Sequence, residues 1–273
     1  MPPEETTSNN KPFSQQELGA FQTLVDIVAR LRAPGGCPWD REQTHNTLKR
    51  NLLEESYEVI EAIDRGDPDV LSDELGDLMV QIAFHADIAK EAGEFQVEDV
   101  LRKINSKLVR RHPHVFADGH AEDAQEVERN WEQIKAEERK AKGESKSPVE
   151  GIPADLPALA YAQLMQERVG KAGFEWDDVS EVLDKIVEEV AEFKAAVTQE
   201  EKVHELGDIM FTLVNLTRWS GAHAEDVLRQ ANQRFGQRYL TMEAIAEQRG
   251  QDFNALPLDQ KEQLWQEAKR QLG

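Results

Sequence analysis

Two stretches of this sequence concentrate carboxylates in a pattern suited to hard cations. "LLEESYEVIEAI" (52–63) carries Glu54, Glu55, Glu58 and Glu61, and "DELGDLMVQIAF" (73–84) carries Glu74 and Asp77. Glu55/Glu58 and Glu74/Asp77 are each three residues apart, so each pair shares one side of a helix. Fifteen residues separate Glu58 from Glu74, enough to finish a helix, turn at "RGDPD" (65–69) and begin an antiparallel partner. That hairpin brings the two pairs face to face. Four converging carboxylates repel one another unless cations neutralise them. Oxygen donors alone favour Mg²⁺ or Mn²⁺ over zinc or copper.

The pattern occurs twice. "FEWDDVSEVLDKIVEEVAEFKAAV" (174–197) repeats the first helix with Glu188, Glu189 and Glu192, and "HELGDIMFTLVN" (204–215) repeats the second with Glu205 and Asp208, twelve residues on. A looser pair follows in the same order, "NSKLVRRH" (105–112) and "NQRFGQRY" (232–239). Three features repeating in sequence point to a duplication. A solvated acidic face accounts for any single Glu-x-x-Glu, but not for a duplicated set whose Glu74, Asp77, Glu205 and Asp208 lie among apolar residues. Gly76 and Gly207 separate the paired carboxylates in both copies. Glycine inside a helix costs about 1 kcal/mol relative to alanine, so each is expected where helices approach closely.

Cations follow in each copy. Lys107/Arg111 and Arg234/Arg238 are four residues apart on their helices and could grip a polyphosphate; ordinary surface ion pairs are the alternative. Metal plus Arg or Lys holds nucleotide phosphates without a P-loop, and no G-x-x-x-x-G-K-[ST] occurs here. Glu201 and His204 form a Glu-x-x-His of the di-iron type, but Asp73 replaces the histidine in the first copy. Trp39 and Trp176 precede Asp40 and Asp177 at helix starts. They read either as hydrophobic staples with aspartate N-caps or as floors for a nucleobase. Trp265 has the same two readings.

The elements that position these residues are helical. Apolar residues recur at helical spacing and alternating runs are scarce, which predicts an all-α fold. "KGESKSPVEGIPADLP" (142–157) interrupts the periodicity and marks a boundary. The expected organisation is a disordered tail over 1–12, a helical domain over 13–141, a linker over 142–157 and a second helical domain over 158–273. With 53 acidic against 32 basic residues the net charge is −21, which disfavours a nucleic acid polymer or an anionic membrane as partner. A single cysteine, Cys37, precludes internal disulfides and fits a reducing compartment. The N-terminus shows no apolar signal segment and no apolar run reaches membrane-spanning length, so the cytoplasm is expected.

Taken together, the duplicated EExxE–ExxD, the Arg/Lys segments, "GIPADLPAL" and "AGFEWDD" resemble the tandem-domain form of the MazG-type nucleoside triphosphate pyrophosphohydrolases, from about Leu18 to the C-terminus. The resemblance implies helical units packed as four-helix-bundle assemblies, usually in a homodimer. It also implies Mg²⁺-dependent hydrolysis of NTPs or dNTPs between the α and β phosphates, giving a monophosphate and pyrophosphate. Carried over, the metal ligands are Glu189, Glu192, Glu205 and Asp208, with Glu55, Glu58, Glu74 and Asp77 as first-half equivalents. Lys185, Arg234 and Arg238 contact phosphate, Trp265 lies against the base, and Glu188 and Glu54 are candidates to orient or deprotonate water. The second half ranks first as the active unit. The first departs in having Lys107 where the second has Arg234, with Trp131 as the nearest stand-in for Trp265. Alternatives are a narrower dUTP, dCTP or phosphoribosyl-ATP pyrophosphohydrolase, and a non-enzymatic helical scaffold.

Overall fold

The computed structural model describes residues 13–141, 143 and 147–273, except for the side chains of residues 139 and 140. The expected tail over 1–12 and part of the expected linker lie outside the described residues. The chain divides into two compact units after Ala141, and every regular element described is helical. The fold is all-α, built from two tandem units of the same plan.

The first unit contains α1 (Phe21–Arg32), α2 (Pro38–Arg41), α3 (Lys49–Arg65), α4 (Pro68–Glu91), α5 (Val97–Arg111), α6 (Pro113–Phe116) and α7 (Ala124–Ala141). The α3–α4 hairpin is written into "RGDPD". Gly66 adopts φ +67° to end α3, a conformation that suits glycine. Asp67 then caps α4, accepting from the backbone N–H of Asp69 and Val70 at 3.1 and 3.2 Å, with Pro68 in the first helical turn. Val28, Leu48, Ala83 and Phe84 form the core joining α1 to the hairpin. Arg32 is buried there and pins three segments together. Its guanidinium donates to Asp87 at 3.0 Å and Glu91 at 2.6 Å on α4, and to the carbonyls of Asp40 and Gln43 at 2.7 and 3.2 Å. A buried Arg whose donors are satisfied this fully is a strong constraint on the loop before α3.

The second unit contains α8 (Ala158–Lys171), α9 (Val179–Ala195), α10 (Gln199–Trp219), α11 (Ala224–Gln248) and α12 (Leu258–Leu272). The α9–α10 turn closes with a capping box: Thr198 Oγ1 accepts from Glu201 N–H at 3.1 Å, and Glu201 accepts from Thr198 N–H at 2.9 Å. α12 folds back on the end of α11 over Met242, Ile245, Ala246, Phe253, Leu264 and Ala268. The described part of the expected linker is not loose: Ile152 is buried, and Arg168 of α8 donates to the Glu150 carbonyl at 3.1 Å.

Two expectations change at this level. The α9 N-cap is Asp178, which accepts from Ser180 N–H at 2.6 Å, and Asp40 lies inside α2 rather than capping it. More consequentially, Gly76 and Gly207 have no atom within 4 Å of where a Cβ would stand. Leu75, Met79 and Ile82 beside the first, and Leu206, Met210 and Leu213 beside the second, are exposed. Helical periodicity identifies the apolar face, but this chain leaves much of that face uncovered.

Candidate metal and nucleotide site

α9 and α10 bring the second-unit carboxylates together. Glu189 is 5% exposed, and one oxygen each from Glu189, Glu205 and Asp208 lies within 4.8 Å of the others. Glu192, one turn along α9, stands outside this triad. Burial first, then the charges of Glu189 and Glu205, push its carboxyl above the ordinary value. Lys185 lies one turn before Glu189 and donates to Glu188 at 2.8 Å and to Glu189 at 2.9 Å. Its hydrogen bonds to these two carboxylates raise its pKa and hold it as a cation. His204 Nε2 stands 3.5 Å from Asp208.

The first unit assembles a different three of its four: Glu55, Glu58 and Glu74. Asp77 stands outside the triad, yet after burial its charge is the largest influence raising Glu55, and it also raises Glu74. Burial and crowded like charges both disfavour the ionised carboxylate, and a bound cation relieves that repulsion. The all-oxygen donor sets fit a hard divalent ion in both units.

The units differ in what adjoins the carboxylates. In the second, a cavity of about 550 Å³ reaches Lys185, Glu189 and Asp208. Its apolar walls are Met165 and Val169 of α8, Phe174 and Trp176 of the following loop, and Phe211 of α10. Gln166, Asn215 and Arg218 add polar atoms to its lining. Apolar walls with a few convergent polar groups are the common form of a small-molecule site. In the first unit Phe84 takes the place of Asn215 in the repeat and is buried in the core beside Val28 and Leu48.

Other expected site residues fall elsewhere. Glu188 is tied to Lys185 at the cluster's edge, while Glu54 is exposed. Arg234, Arg238 and Trp265 lie on α11 and α12 and do not line the cavity. Arg238 sits over the Trp265 ring at 5.7 Å, and Arg111 sits over Trp131 at 5.6 Å, so Trp131 is the geometric counterpart of Trp265. Lys107 is exposed. Arg111 is occupied: with Arg110 it grips Glu138 at 2.7 and 2.5 Å, and these hydrogen bonds hold the Glu138 carboxyl at about 2. Neither Glu138 nor the Glu175–Arg218 pair across the cavity carries a local sequence signal, because both join residues distant in the chain.

Residues 43–116 match the model of the MazG nucleotide pyrophosphohydrolase domain, and residues 160–235 match that of phosphoribosyl-ATP pyrophosphohydrolase. The chain is 44% identical to the nucleoside triphosphate pyrophosphohydrolase/pyrophosphatase MazG of Thermotoga maritima, covering 91% of this chain and 95% of that one. It is 45% identical to the nucleoside triphosphate pyrophosphohydrolase of Escherichia coli K12, covering 93% and 98%. It is also 40% identical to YabN of Bacillus subtilis, over 94% of this chain and 54% of that longer protein. Likeness at this level over nearly the whole of two relatives, on a duplicated helical frame with paired carboxylate clusters, means that this chain belongs to the MazG family.

Proposed function

We infer that this protein hydrolyses nucleoside triphosphates between the α and β phosphates, releasing a nucleoside monophosphate and pyrophosphate, and that the second unit does so. The observation that carries the reading is the cavity that ends on Lys185, Glu189 and Asp208. Glu189, Glu192, Glu205 and Asp208 would hold Mg²⁺, with Mn²⁺ as substitute. The ion, when bound, supplies charge neutralisation on the phosphates and acidifies water. Lys185 is held charged at the cluster and offers its ammonium to a phosphate oxygen. Glu188 is the acceptor for the proton of the attacking water, and Lys185 holds its carboxylate in place by a direct hydrogen bond. The apolar walls receive the base and exclude water from that end.

Arg234, Arg238 and Trp265 lie outside this cavity, and their phosphate and base contacts are what the family resemblance implies. The protein works as a homodimer, which the uncovered residues Val187, Val203, Leu206 and Met210 support. Among the described residues no helix is long and apolar enough to cross a membrane. We place the enzyme in the cytoplasm, where its nucleotide substrates are. The match of residues 160–235 makes phosphoribosyl-ATP the second substrate to test. Incubation with ATP and Mg²⁺ should yield AMP and pyrophosphate; ADP and orthophosphate would contradict the reading.

A further inference from the structure

The loop between α8 and α9 carries an aromatic on either side of a glutamate, "FEW" at 174–176. Phe174 is 84% exposed although it lines the mouth of the cavity, and Trp176 lines the same cavity. An aromatic side chain left in water at the edge of an apolar cavity invites a flat ligand.

The glutamate between them is fixed from several sides. Glu175 Oε1 accepts from Arg218 Nη2 of α10 at 2.6 Å, from Trp219 Nε1 at 3.3 Å and from Trp176 N–H at 3.0 Å. Arg218 is itself held, donating through Nε and Nη2 to Asn215 Oδ1 at 3.1 and 2.8 Å. The hydrogen bond from Arg218 lowers the Glu175 pKa. The other carboxylate oxygen lies directly on Gly170, inside α8, where a Cβ would overlap Glu175 Oε2. Gly170 therefore leaves room for the carboxylate to lie against α8 while it reaches across to α10. In the first unit the charges are exchanged: Pro38 precedes Trp39 where Glu175 precedes Trp176, and Asp87, which stands where Arg218 does in the repeat, accepts from Arg32 of α1 at 3.0 Å.

We propose that Phe174 and Trp176 are nucleobase-stacking walls of the second-unit site, and that Gly170, Glu175 and Arg218 are positioning residues that hold them over the cavity mouth. The inference rests on the pyrophosphohydrolase reading, because the same cavity ends on the carboxylate cluster that would take the phosphates. Base–aromatic stacking tolerates any base, since every base presents a π face. The clasp therefore sets how well nucleotides bind in general.

The test uses the full chain with Mg²⁺, ATP as substrate and α,β-methylene-ATP as a binding probe that does not require turnover. Phe174→Ala should weaken probe binding and raise KM by about tenfold, the scale of one lost stack, with kcat within about twofold. Phe174→Tyr should restore both. Gly170→Ala should raise KM in the same direction while leaving Mn²⁺ affinity and the melting temperature near wild type. Gly170→Ala combined with Phe174→Ala should cost less than the sum of the two single effects, because part of the clasp's action passes through Phe174. Probe binding indifferent to Phe174, or additive effects in the double variant, overturns this inference alone. A wild type that binds the probe and loses affinity in Phe174→Ala, yet forms no AMP, supports the stacking walls and overturns the pyrophosphohydrolase reading. A wild type that binds no probe overturns both.

Discussion

The two units share a frame and a carboxylate pattern, yet they use the space beside the carboxylates in opposite ways. The second keeps a cavity of about 550 Å³ running to its cluster. The first packs Phe84 against Val28 and Leu48, which are 1% and 2% exposed. The residue four before Glu189 is Lys185, whereas four before Glu55 is Asn51, so an amide stands in the first unit where the second has an ammonium. Arg111, which mirrors Arg238 over its tryptophan, is held by Glu138; Arg238 has no carboxylate partner among the described residues. The carboxylate pattern alone therefore does not distinguish the units. Their difference lies in the cavity, in Lys185 and in the free arginine.

The comparison breaks first at the cavity. Asn215→Phe installs the first unit's residue in the second and should lower kcat/KM for ATP by about 100-fold, through lost access and lost orientation. A variant that keeps full activity would show that the cavity is not the substrate's route. Next, Lys185→Met should lower kcat/KM by about tenfold or more, measured by pyrophosphate release, and Asn51→Lys in the first unit should restore none of it.

Much of the shared frame is legible in the amino-acid sequence. The duplication, the hairpins and the carboxylate pairs follow from periodicity and from turn residues such as Gly66, Asp67 and Pro68, which act locally. The uncovered face beside Gly76 and Gly207 is not legible there, because periodicity marks a face as apolar without naming what covers it. The Glu175–Arg218 clasp is equally hidden: its partners are separated by 43 residues, and its only local trace is a glycine inside α8. The Asp178 cap lies one residue beyond Asp177, since either of two adjacent aspartates satisfies the same sequence signal.

A smaller effect tests the clusters as cation sites. Burial and neighbouring carboxylates raise Glu55, Glu74 and Glu192 above the ordinary 4.5. The folded state then holds these protons more tightly than the unfolded state, so these groups cost stability as pH rises through their folded-state pKa values. A divalent ion removes that penalty. Mg²⁺ should therefore raise the melting temperature by several degrees at pH 8 and by less at pH 5, where protons compete. Equal shifts at both pH values would count against the carboxylates.

The smallest expected effect on activity concerns Glu138, whose pKa is lowered to about 2 by Arg111 and Arg110. Its stabilising contribution is present above 4.5 and is lost as pH falls toward 2. Glu138→Gln should leave ATP hydrolysis within about twofold at neutral pH and flatten the loss of stability over that acid window. A large fall in hydrolysis would place the first unit in the reaction.

If turnover belongs to the second unit, paired single variants in the two carboxylate clusters must behave differently. Wild type, Asp208→Ala and Asp77→Ala are each incubated with ATP and Mg²⁺, and AMP and pyrophosphate are quantified. Asp208→Ala should abolish both products while Asp77→Ala retains most of the wild-type rate. Loss of product in Asp77→Ala with activity kept in Asp208→Ala would contradict it.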